Sequence, residues 1–175
     1  MNLHQIIVNS VNEAAANVFA TMVGGELGPG IDSIANGPPE PSDGVVSFIG
    51  IAGPWVGTGS LACSANMACA VCTQMLMTET TSVNEDVLDA IAELTNMIIG
   101  GVKTDLESHI GSLGLSIPTV VFGRNFKTRT VGSTEWIVVE FPWNGELLTV
   151  KFSLAPNDKT AHTGQHFAHT CAIEV

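Results

Sequence analysis

Apolar residues at Ile7, Val8, Val11, Ala14, Ala15, Val18, Phe19 and Met22 recur at three- and four-residue steps. That period predicts an amphipathic helix over residues 3–22, ended by Gly24-Gly25, where glycine accepts left-handed backbone angles. Residues 26–43 are rich in Gly and Pro and read as an irregular connection, with room for a short extended piece. Residues 45–51 and 58–64 read as two strands of a hairpin across Gly53-Pro54. Residues 65–77, rich in Ala, Met, Leu and Gln, predict a helix capped by Ser64. A polar linker, 78–83, then leads to the longest helix, residues 84 to about 110. Beyond Gly111 the pattern turns to strands at 117–122, 135–142 and 146–154. The last two are joined by Trp143-Asn144-Gly145, where Asn-Gly signals a tight hairpin. Helices and hairpins alternate without a regular strand-helix rhythm, so the fold class is α+β, an antiparallel β-sheet packed by long helices.

The 84–103 stretch carries the most information. At about 100° per residue, Val87, Ile91, Leu94, Ile98 and Val102 share one arc, flanked by Leu88 and Ile99. On the opposite side lie Asp86, Asp89, Glu93, Asn96, Gly100 and Lys103. Glu93 and Asn96, three residues apart, project as neighbours from this exposed stripe. An amide in mid-helix competes for backbone hydrogen bonds, and each glycine of Gly100-Gly101 costs up to about 1 kcal/mol relative to alanine. A solvated face with a weak point is the plain explanation. The more specific one is a polar pair beside a place where another surface comes close.

Composition narrows the partners. The 175 residues suffice for one domain, and 45% are apolar against 13% charged. Six basic residues stand against 17 acidic ones, for a net charge of -11. That balance argues against binding nucleic acid or an anionic membrane, both of which reward Lys and Arg. No Lys or Arg precedes Lys103, whereas ten acidic residues do. A one-signed N-terminal part serves solubility and favours a lysine-bearing partner. No basic segment opens the chain and Glu13 interrupts the apolar pattern, so the expectation is a soluble, cytoplasmic protein without membrane insertion.

At this point the residues resemble a family. The run Asp89-Ala-Ile-Ala-Glu93-Leu-Thr-Asn96-Met-Ile-Ile-Gly100-Gly-Val-Lys103 is similar to the signature helix of the CheC/CheX/FliY chemotaxis phosphatases, whose core is Glu-x-x-Asn. Residues 9–22 resemble the family's opening helix, and Ser116-Ile-Pro-Thr-Val-Val-Phe-Gly123 resembles the strand after the signature helix. A single Glu-x-x-Asn resembles CheX more than CheC, which usually carries two. Residues 38–43 read as a local insertion. The division expected is a single CheX-like domain, 1–155, and a polar C-terminal tail, 156–175.

The resemblance implies hydrolysis of the aspartyl phosphate of a CheY-like response regulator. Asn96 would position the attacking water and Glu93 would dock a lysine of the receiver domain. Asp86, Asp89, Gly100 and Lys103 would line the contact. This chain would bind no cofactor or metal, Mg²⁺ belonging to the receiver, and would pair as a homodimer through its sheet. The rival is a CheX-like module that docks a receiver without hydrolysis.

Other constellations compete weakly. Cys63 and Cys69-Ala-Val-Cys72 provide soft metal ligands, but the last two sit in a helix rich in small and apolar residues, where packing suffices. His162, His166, His169 and Cys171 form a His-containing tail whose composition does not require a metal. Gly57-Thr-Gly59-Ser lacks the full phosphate-loop pattern and reads as a turn entering a strand. Arg124, Lys127 and Arg129 read as a solvated loop, or as a contact to an acidic partner face.

Overall fold

The structure is a computed structural model that describes residues 2–36, 42–130, 135–157 and 171–174. Helix α1, Leu3–Val18, runs into a π-helical turn at Phe19–Val23 and is capped by Asn2, whose side chain accepts the Gln5 N–H at 2.9 Å. Helix α2, Ala65–Leu76, begins at Ser64, whose hydroxyl accepts the Met67 N–H at 3.0 Å. Helix α3, Glu85–Ile110, is capped by Asn84 through the Val87 N–H at 3.0 Å, and stops where Gly111 takes φ 88°. In each case a side-chain oxygen satisfies an amide that the first helical turn leaves unpaired.

The strands are β1 (Ile31–Ala35), β2 (Ser42–Ala52), β3 (Trp55–Cys63), β4 (Gly114–Leu115), β5 (Thr119–Thr130), β6 (Trp136–Trp143), β7 (Glu146–Pro156) and β8 (Cys171–Glu174). They pair in the order β1-β6-β7-β3-β2-β5-β8, with β4 alongside β2, and every pairing is antiparallel. The β2–β3 hairpin sets Ile51 opposite Gly57 and Val45 opposite Cys63. Asn144 (φ 50°) and Gly145 (φ 80°) form the β6–β7 turn, whose two left-handed residues match the twist of the strands.

The helices cover one face of the sheet. Alternate residues Val45, Ile49 and Ile51 of β2, Leu61 of β3, Val139 and Phe141 of β6, and Leu148, Val150 and Phe152 of β7 join α1, α2 and α3 in one buried cluster. Residues two apart on a strand share a face, so Val46 and Phe48 fall on the other side, with Phe126 in a smaller cluster. The segment Leu3–Val23 is long and apolar enough to cross a membrane, with mean hydropathy 1.2. Its Ile7, Val8, Val11, Ala15, Val18 and Phe19 are instead spent on the core, and Phe19 meets Trp143 edge to face at 5.6 Å.

Several expectations change. The short extended piece for which residues 26–43 left room is β1, which pairs with β6 at the sheet edge; its residues are all exposed, so no buried alternation fixed its place. The strand expected from 58 begins at Trp55, so Gly57 as well as Gly59 lies inside β3, and at both positions neighbouring groups come too close for a side chain. Arg124, Lys127 and Arg129 lie on a strand, β5, not a loop. That strand starts at Thr119 and runs on past Phe122, bending at a register shift where Asn125 (φ 52°) donates its N–H to Asp43 Oδ1 at 2.6 Å. Strand β7 reaches Pro156, and Cys171–Glu174, read as the end of a polar tail, pairs with β5 as β8. His162, His166 and His169 lie outside the described residues, as does most of the 38–43 insertion.

Candidate functional site

The site is built on α3, and its placement follows from the helix phase. Val87, Ala90, Ile91, Leu94, Thr95, Ile98, Ile99, Val102 and Leu106 are buried, which fixes one face against the sheet and α1. Thr95, polar but buried, turns its hydroxyl onto the Ile91 carbonyl at 2.7 Å and so needs no external partner. What remains outward is Asp86, Asp89, Glu93 and Asn96, all exposed, with Gly100 half-buried.

The two glycines of α3 divide their work. A Cβ at Gly101 would stand 3.1 Å from the Ala14 Cβ of α1, so this glycine lets two helices approach. Near it, Ser10 donates its hydroxyl to Asp105, tying α1 to α3. A Cβ at Gly100 would meet nothing within 4 Å. Gly100 therefore leaves the outer face of α3 without a side chain at that position.

Asp89, Ala92, Glu93 and Asn96 form one wall of an open cleft of about 350 Å³. The opposite wall is the end of β4 and the segment that leads to β5: Leu115, then Ser116, Ile117 and Pro118. The charged groups of this cleft are both carboxylates. No hydrogen bond engages the Glu93 or Asn96 side chain among the described residues, so both present their polar atoms outward. Asn96 offers a carbonyl oxygen and two N–H donors without ionising, and Glu93 offers acceptors only. The pair can orient a water and attract a cation; it contains no nucleophile.

Of the remaining residues singled out in the sequence, Asp86 and Asp89 extend the acidic stripe toward the start of α3. Lys103 points elsewhere: its Nζ lies 2.9 Å from Glu107 Oε2, one turn on. Glu107 also accepts the Leu113 N–H at 2.8 Å and the Ser112 hydroxyl at 3.4 Å. The Lys103 hydrogen bond and then the Leu113 N–H hold the Glu107 carboxyl below its ordinary 4.5, so it stays ionised and locks the turn leaving α3. The structure thus brings Glu93, Asn96, Asp89 and Gly100 to one surface and turns Lys103 to the end of the helix.

The cysteines stand apart from this cleft. Cys63, Cys69 and Cys72 are buried, unbridged and packed in the core. Burial, with Glu146 and Cys69 nearby, pushes the Cys63 thiol up to about 12, and burial beside Cys72 raises Cys69. Thiols held neutral in this way are poor nucleophiles at neutral pH. Cys63 lines a second cleft, about 270 Å³, with Asp43, Ser64 and Glu146, where Glu146 accepts the Ser64 hydroxyl at 2.7 Å.

Sequence reasoning missed the loop wall. The sequence pattern places Ile117 at the start of a strand, 117–122; in the structure it stands before β5, and its place before Pro118, which favours an extended backbone, does not tell that it faces α3.

Comparisons with known proteins fit this arrangement. A family model described as chemotaxis phosphatase CheX matches residues 45–142, which include most of β2 and all of β3 and α3. A CheC-like superfamily protein from Shewanella sp. PV-4 is similar at 26% identity and a TM-score of 0.76, over 89% of this chain and 99% of that one. The chemotaxis protein CheX from Vibrio vulnificus is similar at 26% identity and a TM-score of 0.74, over 85% and 99%. The CheX–CheY–BeF₃–Mg²⁺ complex from Borrelia burgdorferi shares the fold, with a TM-score of 0.70 at 20% identity, over 85% and 97%. No curated protein sequence matches the chain.

Proposed function

The chain belongs to the CheX family of chemotaxis phosphatases, and from that premise we propose that it removes the phosphoryl group from the aspartyl phosphate of a CheY-like response regulator. The observation that carries this reading is the exposed, unengaged pair Glu93 and Asn96 on the cleft wall of α3. The CheX neighbour in complex with CheY and BeF₃, a stand-in for a phosphoryl group, supports the choice of partner.

An acyl phosphate is already reactive, so the helper has little covalent work to do. Positioning and electrostatics suffice. In this mechanism α3 lies across the receiver's phosphorylation site. The Asn96 amide holds a water in line with the P–O bond to be broken; the water oxygen attacks phosphorus, the aspartate carboxylate leaves with the bonding pair, and the water's protons stay on the inorganic phosphate or pass to solvent. Asn96 takes no proton, since an amide is no base at neutral pH. Glu93 pairs with a receiver lysine and sets the register, while Asp86 and Asp89 extend the attraction. Gly100 permits contact without a protruding side chain, and Lys103 borders it from its Glu107 pair. Mg²⁺ belongs to the receiver, where it neutralises phosphoryl charge; this chain holds no cofactor in the reading. The protein works in the cytoplasm, where such a receiver resides, as a homodimer paired through the sheet.

Phosphate release from a phosphorylated receiver, with Mg²⁺, tests the proposal in wild type and Asn96→Ala. Acceleration by wild type, lost in Asn96→Ala while binding persists, is expected. Binding without acceleration for every receiver tried would overturn hydrolysis in favour of a docking module.

A further inference from the structure

Ile117 is 86% exposed, the extreme among the described isoleucines, yet the backbone on both sides of it is tied down. Ser116 bonds twice to Gly50 of β2: its N–H donates to the Gly50 carbonyl at 2.9 Å, and its hydroxyl accepts the Gly50 N–H at 2.9 Å. The same hydroxyl donates to the Ile117 carbonyl at 2.9 Å. Just before it, β4 pairs Leu115 with Ile51 and Gly114 with Ala52. Just after it, Pro118 limits Ile117 to extended backbone, and β5 begins at Thr119.

Isolated exposed apolar residues are ordinary on loops that can move. A large one fixed in space on the rim of a cleft, facing two carboxylates and an amide, is preorganised to enter another surface. Such residues lose little freedom on binding, and that is how an interface gains affinity from a single side chain.

We propose that Ile117 is the docking anchor for the receiver, an apolar knob that enters an apolar recess beside the phosphorylation site and sets the depth of α3. The inference rests on the phosphatase reading above. Its occupant is the receiver because Ile117 and Asn96 line one cleft, so a domain seated on Asn96 also covers Ile117. The recess must adjoin the lysine met by Glu93, which gives the partner surface two separable determinants, one charged and one apolar. Ile117 touches no reacting atom in this scheme; it is a positioning residue.

The test is steady-state dephosphorylation by wild type, Ile117→Ser, Ile117→Leu and Asn96→Ala, with thermal melts alongside. Ile117→Ser should raise KM about tenfold or more with kcat retained, since it removes binding common to ground and transition states. Ile117→Leu should restore most of the affinity, and neither change should move the melting temperature. Asn96→Ala should show the reverse split, lost kcat with binding retained. If wild type is active and Asn96→Ala inactive, but Ile117→Ser keeps its KM or loses only kcat, the anchor is overturned and the phosphatase reading stands. A wild type that neither binds nor accelerates overturns both.

Discussion

Gly59 on β3 lies directly beneath Ile99 on α3: a Cβ at position 59 would stand 2.8 Å from Ile99 Cδ1 and 2.9 Å from its Cγ2. Ile99 follows Asn96 by three residues, so this contact sets the height of the signature helix over the sheet. Ile is stiff at χ1 and cannot swing away within a packed core.

Gly59→Ala should therefore destabilise the protein by about 1–3 kcal/mol through overpacking. It should also lower activity on a phosphorylated receiver, because lifting α3 changes the spacing of Asn96 from the Ile117 wall. Chemical denaturation and phosphate-release rates check the two effects; an unchanged denaturation midpoint would contradict the packing argument.

Charge at Glu93 should govern affinity rather than turnover. Glu93→Lys should raise KM for the receiver severely with little change in folding stability, since Glu93 is exposed. The wild-type KM should itself rise with added salt, as screening weakens a solvent-exposed ion pair. Titrating KM against ionic strength measures this; a flat wild-type curve would contradict a docking role for the carboxylate.

The Glu107 lock predicts a pH dependence. Its carboxyl is depressed in the folded state, chiefly by the Lys103 hydrogen bond, so its contribution is present above the ordinary value of 4.5 and is lost as pH falls through the lowered one. Glu107→Gln should be less stable than wild type at pH 7, and the two should converge under acid. Melts at pH 7 and in steps below 4.5 test this, with a constant gap as the contrary result.

Burial of the thiols predicts resistance to alkylation. Cys63, Cys69 and Cys72 should remain unlabelled by maleimide in native protein at pH 8 and react on unfolding. For Cys63 the folded value is raised, so folding loses stability as pH climbs from 9 toward about 12, where the unfolded thiol ionises first. Peptide mapping by mass spectrometry reads the labelling; rapid native modification of Cys63 would contradict its burial.

The chain's local chemistry settled much of this in advance. The phase of α3 was legible because nine buried positions repeat at helical steps, and three residues of separation place Glu93 and Asn96 together on any helix. Ser64 and Asn144-Gly145 declared a cap and a turn for equally local reasons. Tertiary structure alone decided what faces that pair. Ser116 reaches Gly50, 66 residues earlier in the chain, only because β2 pairs with both β4 and β5. It likewise decided that Gly101, not Gly100, admits α1, that Lys103 turns to Glu107, and that exposed β1 joins β6. Periodicity reports which side of an element is buried; it carries no information about which distant segment does the burying, and it counted Ile117 into a strand that in the structure begins two residues later.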